Sequence, residues 1–346
     1  MAYTTINKSK DHFDGKIYLG SSSAVTVSGL EFQPDLVWVK DRDNGNNHCL
    51  VDAVRGVGKY IQSDNTSAEV NNSTNSISAF TSDGFTTGTS NPANESASTT
   101  KGFMSWNWKA NGQGSSNTDG SINTTYTSVN TTAGFSISKY TGNAIDGATI
   151  GHGLGVVPQT IWIKRLSNAD GMICYHHSLG NATAVKFDRT DYSTENFWQS
   201  TTPTNQVVTV TGSTENNYTS NDYVMYAFAP KQGYSKFGSY VGNGSTDGVF
   251  IYTGFKPAFV MIKRTDASGN WEIMDNKRDT HNPAITLLFP NLTNTDATSY
   301  NTDFLSNGFK QRVTASSRNA SGGTYIYMAF AEAPLVGTNG VTAKAR

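Results

Sequence analysis

Cysteine is nearly absent from this 346-residue sequence: Cys49 and Cys174 are the only two. A disulfide scaffold is excluded. A bond between these two is also disfavoured, because they lie in different copies of a repeated segment and their Cα atoms would have to come within about 7 Å. Two small buried thiols are expected instead. Charge is scarce as well, with 15% Asp, Glu, Lys and Arg and a net charge of -1. No cluster of Lys or Arg stands out, so nucleic acid, whose phosphates demand concentrated positive charge, is disfavoured as a partner. No apolar run approaches the ~20 residues that span a bilayer, which argues against membrane insertion. The first residues, Met1-Ala2-Tyr3-Thr4-Thr5, show no basic-then-apolar leader, so synthesis in a cytoplasm is expected. Sustained helical periodicity is missing too.

What the sequence does contain is one pattern three times. Pro34-Asp35-Leu36-Val37-Trp38-Val39-Lys40, Pro158-Gln159-Thr160-Ile161-Trp162-Ile163-Lys164 and Pro257-Ala258-Phe259-Val260-Met261-Ile262-Lys263 share a proline, a strand-forming run and a lysine. Upstream, Tyr18-Leu19-Gly20, Tyr140-Thr141-Gly142 and Tyr240-Val241-Gly242 recur in register. Downstream, Met104-Ser105-Trp106-Asn107-Trp108 answers Val224-Met225-Tyr226-Ala227-Phe228 and Ile326-Tyr327-Met328-Ala329-Phe330. The spacing of roughly 100 residues or more is that of a domain, above the ~20 to 50 residues of solenoid units.

Thr, Val, Ile and aromatic residues with 33 Gly and many Asn and Ser are a composition for strands and turns. The fold class expected is all-β: three tandem antiparallel β-sandwich repeats, jelly-roll-like, at 13-110, 133-229 and 235-333. An N-terminal arm (1-12), a linker (111-132) and a C-terminal arm (334-346) complete the chain. Ser82-Asp83-Gly84 and Ser306-Asn307-Gly308 predict two-residue hairpins with Asp-Gly and Asn-Gly at positive φ. Along the proline strand, alternation places Val37 and Val39, Ile161 and Ile163, Val260 and Ile262 on one core face. Met104, Trp106 and Trp108 and their counterparts make the inward row of the last strand. The opposite row of the proline strand, with Leu36 and Trp38, is apolar too and must be covered by a loop, a neighbouring repeat or another subunit. A homotrimer is expected on that ground.

Chemistry-bearing motifs are few. Asp52-Ala53-Val54-Arg55 recurs as Asp275-Asn276-Lys277-Arg278, a pattern best read as a loop clamp. The second repeat has Tyr175-His176-His177-Ser178 there, and adjacent strand residues point to opposite faces, so the two histidines do not form a metal pair. Gly151-His152-Gly153-Leu154-Gly155 leads into a strand and lacks the helix N-terminus that a phosphate loop uses. Gly-x-Ser-x-Gly and His-Glu-x-x-His are absent. No catalysis and no cofactor are expected.

Several long motifs carry a resemblance: Leu30-Glu31-Phe32-Gln33-Pro34-Asp35-Leu36-Val37-Trp38-Val39-Lys40, Trp106-Asn107-Trp108-Lys109-Ala110, Ile150-Gly151-His152-Gly153-Leu154-Gly155, Lys236-Phe237-Gly238-Ser239-Tyr240-Val241-Gly242 and Met328-Ala329-Phe330-Ala331-Glu332-Ala333-Pro334. With these, the chain resembles repeat-containing virion structural or tail-fibre-like proteins of tailed phages that infect marine bacteria. The resemblance implies a place on the exterior of a phage particle among other virion proteins. The leading function is then a tail-associated fibre or receptor-binding component that contacts host-surface glycan. Capsid decoration or tail reinforcement is the alternative, and a polysaccharide-degrading enzyme comes third. The glycan-binding candidates lie where the second repeat departs from its siblings: Tyr175, His176, His177, Tyr192 and Trp198.

Overall fold

A computed structural model of the chain describes residues 3-192, 195-298, 301-337 and 342-343. Its strands fall into three successive sets. The first contains β1 (Phe13–Tyr18), β2 (Thr26–Val27), β3 (Leu36–Asp41), β4 (Cys49–Asp52), β5 (Lys59–Tyr60), β6 (Val70–Asn71), β7 (Ile77–Thr81), β8 (Gly84–Thr87) and β9 (Phe103–Trp108). The second contains β10 (Tyr126–Asn130), β11 (Phe135–Thr141), β12 (Ala148–Gly151), β13 (Thr160–Arg165), β14 (Ile173–His176), β15 (Val185–Lys186), β16 (Val207–Val210) and β17 (Asp222–Phe228). The third contains β18 (Ser235–Val241), β19 (Phe250–Tyr252), β20 (Phe255–Arg264), β21 (Trp271–Asp275), β22 (Thr302–Leu305), β23 (Gly308–Gln311) and β24 (Thr324–Pro334).

The fold is all-β, and one strand order occurs three times. The main sheets run β1-β9-β3-β4, then β11-β17-β13-β14 flanked by β10 and β15, then β18-β24-β20-β21. A smaller sheet or ribbon accompanies each: β2-β8-β7, β12-β16 and β19-β23-β22. First, third and last strands thus share one layer while the second and next-to-last share the other, a jelly-roll-like interleaving. We call the three units modules 1, 2 and 3.

Side-chain alternation then builds two kinds of core. Val37 and Val39 pack with Val51, Phe85 and Phe103 between the layers of module 1. Ile161 and Ile163 do the same in module 2, and Val260 and Ile262 in module 3. Register places Trp38 opposite Trp106 and Val37 opposite Asn107. The Val37 row and the Trp106 row therefore lie on opposite faces of one sheet, not in a single core. The second row, Leu36, Trp38, Trp106 and Trp108, joins Trp162, Tyr226 and Phe228 and Phe259, Met261, Met328 and Phe330 in one cluster shared by all three modules. At its centre Trp108, Phe228 and Phe330, the same position of the three last strands, meet with ring centroids 5.6–6.5 Å apart.

The units are consequently three sheets around one joint core and not independent beads. The apolar face that argued for a homotrimer is covered within a single chain, so it supplies no reason for a partner. The expected linker is also structural: its residues 126-130 form β10 and pair with β11. An edge strand needs little apolar content, which is why this segment looks like a linker in sequence. The N-terminal arm is tied to module 3, with Thr4 Oγ1 donating to Gln232 O at 2.7 Å and Ile6 buried in the joint core. In the C-terminal arm Val336 bridges Thr342, and residues 338-341 and 344-346 lie outside the described residues.

Two repeated signatures now have physical causes. Tyr18, Tyr140 and Tyr240 each donate a hydroxyl to the carbonyl of Ala93, Asn216 or Arg318, which fastens the first strand to the loop before the last. The following Gly20, Gly142 and Gly242 admit that loop: a Cβ would lie 1.9, 2.4 and 2.3 Å from a backbone carbonyl oxygen. The two hairpins exist, but Gly84 pairs with Thr81 and Gly308 with Leu305, so Ser82-Asp83 and Ser306-Asn307 make the turns without positive φ. The glycine is there because a Cβ would meet Val27 O or Ile251 O at 1.8 or 2.1 Å.

Candidate functional site

The repeated lysines lock the modules to one another. Lys40, Lys164 and Lys263 are fully buried. Each amine donates to one carbonyl of its own module and one of a neighbour: Lys40 to Asp41 O and Thr293 O, Lys164 to Asp170 O and Asn65 O, Lys263 to Gly269 O and Thr190 O. Module 1 thereby grips module 3, module 2 grips module 1, and module 3 grips module 2. Burial without an ion-pair partner pushes all three amines down to about 8.

A second device closes two of the three seams. Between modules 1 and 2, Arg55 Nε lies 2.5 Å from Asp52 Oδ2 and its Nη1 reaches Glu69 at 3.0 Å. Tyr226 of module 2 donates its hydroxyl to the same Asp52 oxygen at 2.7 Å. Between modules 3 and 1, Arg278 Nε lies 2.6 Å from Asp275, its Nη1 reaches Asp296, and Trp106 Nε1 of module 1 donates to Asp275 at 3.2 Å. Charge-assisted bonds of this kind fill each seam with a guanidinium and two carboxylates.

The seam between modules 2 and 3 is built differently. Register aligns Thr160 with His176 as it aligns Leu36 with Asp52 and Phe259 with Asp275. By sequence offset Leu179 then stands where Arg55 and Arg278 stand, and Met328 where Trp106 and Tyr226 stand. His176 takes the place of the aspartate, accepting Ser178 N–H at Nδ1 and donating from Nε2 to Tyr327 O. Burial pushes its pKa down to about 3, so the ring is neutral. The hydroxyl of Thr160 beside it is buried with no partner.

With a leucine in place of an arginine and its acids, the seam holds a cleft of about 420 Å³. Leu179, Val185 and Ile326 supply apolar lining, Ser178, Thr183, Ser239, Thr265 and Thr324 supply hydroxyls, and Tyr192, 48% exposed, forms a wall. Among the described residues no carboxylate lines it. A second opening of about 540 Å³ lies along the same seam, between Tyr3, Gln159, His177, Lys236 and Tyr252.

Of the five residues expected to bind glycan, the structure brings two to these openings. Tyr192 lines the first cleft and His177 the second, where its Nε2 donates to Phe237 O at 3.1 Å. His176 fills the seam itself. Tyr175 and Trp198 are buried in the core of module 2, rings 5.5 Å apart and nearly perpendicular, so they are unavailable to a ligand. Tyr175 pairs with Ile161 and shares its core-facing side. The rim hydroxyls and Leu179 escaped sequence reasoning. The signal that finds Leu179 is its alignment with Arg55 and Arg278.

Other motifs are structural. His152, in the glycine-rich loop, is buried and holds Leu154 N–H and Thr204 O with its two ring nitrogens. Cys49 and Cys174 are buried free thiols, and burial pushes Cys49 up to about 12 and Cys174 upward as well. Among the described residues no group of three or more His, Cys, Asp or Glu side chains is arranged to hold a metal.

The family model for a domain of unknown function, DUF7483, matches residues 8-334. No curated protein and no solved structure matches the chain.

Proposed function

We propose that this chain, which belongs to the DUF7483 family, is a non-enzymatic component of the exterior of a bacteriophage particle that contacts host-surface glycan at the seam between modules 2 and 3. The observation that carries the reading is the inequality of three equivalent seams. Two carry an Asp/Arg clamp, the one at Arg55 beside an opening of only about 130 Å³, and the third holds Leu179 and a cleft of about 420 Å³. A pyranose ring has an apolar C–H face and a belt of hydroxyls. A cleft with Leu179 and Ile326 beneath, Tyr192 at the side and five hydroxyl residues around it matches both. The virion assignment rests on the family resemblance of the repeated motifs.

Glycoside hydrolysis needs a pair of carboxyl groups about the scissile bond, and among the described residues no Asp or Glu lines the cleft. That favours adhesion over polysaccharide cleavage. The interlocked core suits capsid decoration or tail reinforcement equally, and position on the particle separates the readings.

The test pairs location with binding. Antibody against the chain should label the exterior of intact particles by electron microscopy, and the purified protein should compete with particles for adsorption to host cells. Tyr192→Ala should weaken retention on host polysaccharide roughly tenfold, the value of a lost aromatic contact. Particles that lack the chain on their surface, or wild-type protein that neither competes nor binds, would defeat the reading.

A further inference from the structure

Module 2 closes one side of its sandwich with a segment that the other modules lack. β10 covers the edge of β11 from Tyr126↔Lys139 to Asn130↔Phe135. Just upstream, Ser121 N–H donates to Thr149 Oγ1 at 2.8 Å and Ile122 N–H to Thr149 O at 3.0 Å, along the edge of β12. One extended segment thus seals the first strand of both layers. In module 3 the counterparts of those strands, β18 and β19, stand at the edges of their sheets with no strand beyond them among the described residues.

The direction of the free backbone groups follows from the ladder. Gly242 N–H donates inward to Gly323 O at 2.8 Å, so alternation turns the N–H and C=O of Phe237, Ser239 and Val241 outward. His177 takes Phe237 O, Ser239 lines an opening of about 420 Å³ that runs between β18 and β19, and Val241 lies further along the same exposed edge. Val241, Phe250 and Tyr252 are 56%, 45% and 47% exposed on this side. An uncovered edge with apolar flanks is a template for strand addition.

We infer that this side of module 3 accepts an extended strand from another polypeptide, added to β18 as β10 is added to β11. Charge narrows the occupant. Among the described residues the ionisable side chains along the opening are Lys236, His177 and the tyrosines, with no Asp or Glu to balance a further cation, so the strand carries no Lys or Arg. Residues 111-131, which seal module 2, have that composition: Thr, Ser, Asn, Gly, Gln, Tyr, Ile and Val with a single Asp119. Ser239 also lines the glycan cleft, so Val241, which lies outside that cleft, is the readout that separates this inference from the glycan reading.

The probe is a synthetic peptide copying residues 111-131, added to the full chain and followed by amide hydrogen exchange. Exchange at Ser239 and Val241 should slow at least tenfold. Ser239→Pro removes an outward N–H and leaves the ladder to β24 intact, because proline is tolerated at such an edge position. It should abolish the protection at Val241, the one of the two amides that the variant retains, while the melting temperature stays within a few degrees. Should that variant fold poorly, Val241→Lys, at an exposed position, should weaken binding at least tenfold by setting a charge on the edge. Tyr192→Ala, which alters only the glycan cleft, should leave protection unchanged. No slowing at Ser239 and Val241 under saturating peptide, undiminished slowing at Val241 in both edge variants, or protection of Val241 by neutral oligosaccharide in place of peptide would overturn the inference.

Discussion

Phe330→Ala is the perturbation that distinguishes one joint core from three separate ones. The ring is 1% exposed and lies within 6.1 Å, centroid to centroid, of Phe13 and Trp108 from module 1, Phe228 from module 2, and Phe237 and Phe259 from its own module. Truncating a fully buried Phe costs about 3–5 kcal/mol, through lost transfer energy and the cavity left behind. Unfolding entropy near the midpoint is roughly 2.1 cal/mol/K per residue, about 0.7 kcal/mol/K for a chain of this length, so the melting temperature should fall by about 4–7 °C. Tryptophan fluorescence reports modules 1, 2 and 3 through Trp106, Trp198 and Trp271, and exchange-detected amides in β3, β13 and β20 report them separately. All three modules should lose protection by the same factor, because the residue removed belongs to all three. A loss confined to module 3, with modules 1 and 2 melting as before, would refute the shared core.

Alkaline stability tests the lysine latches. Lys40, Lys164 and Lys263 have folded pKa values of about 8 against 10.5 in the unfolded chain. Above pH 8 the unfolded state therefore holds more protons, and stability rises with pH by up to about 1.4 kcal/mol per unit for each lysine. The buried thiols are shifted upward, and above about pH 9 they act in the opposite sense. Three lysines outweigh two thiols, so urea midpoints should climb from pH 7.5, more slowly above about 9, and turn down only near pH 10, where burial of tyrosines such as Tyr18, Tyr140, Tyr226 and Tyr240 also holds their hydroxyls protonated in the folded state. Lys263→Met should reduce the climb by about a third. A flat profile would mean that the amines are solvated. Rebuilding the missing clamp with His176→Asp and Leu179→Arg should fill the cleft and lower glycan retention at least tenfold at unchanged melting temperature; retained binding would place the ligand elsewhere.

The strand class, the three-fold pattern and the valine face were legible because strand alternation is local: Val37, Ile161 and Val260 announce their side within a few residues. What covers the other side is not local. The row of Leu36 and Trp38 declares itself buried, yet nothing in its own segment says that Trp162 and Phe259 bury it. The same limit explains Gly84 and Gly308, chosen by a crossing strand distant in sequence, and the 111-132 segment, whose polarity suits an edge strand as well as a linker. At the site, comparison of repeats pointed to two residues that line openings at the seam between modules 2 and 3, His177 and Tyr192. It failed for Trp198, placed in the core by long-range packing, and for Tyr175, whose direction could have been read from its pairing with Ile161.

The most direct test of the central claim, that the three seams are equivalent in plan and the ligand enters the one between modules 2 and 3, is hydrogen exchange of the whole chain with and without host-surface polysaccharide. Protection should concentrate at Ser178, Thr183, Tyr192, Thr265 and Thr324, with the Arg55 and Arg278 seams unchanged. Protection centred on either clamped seam, or none at saturating polysaccharide, would contradict it.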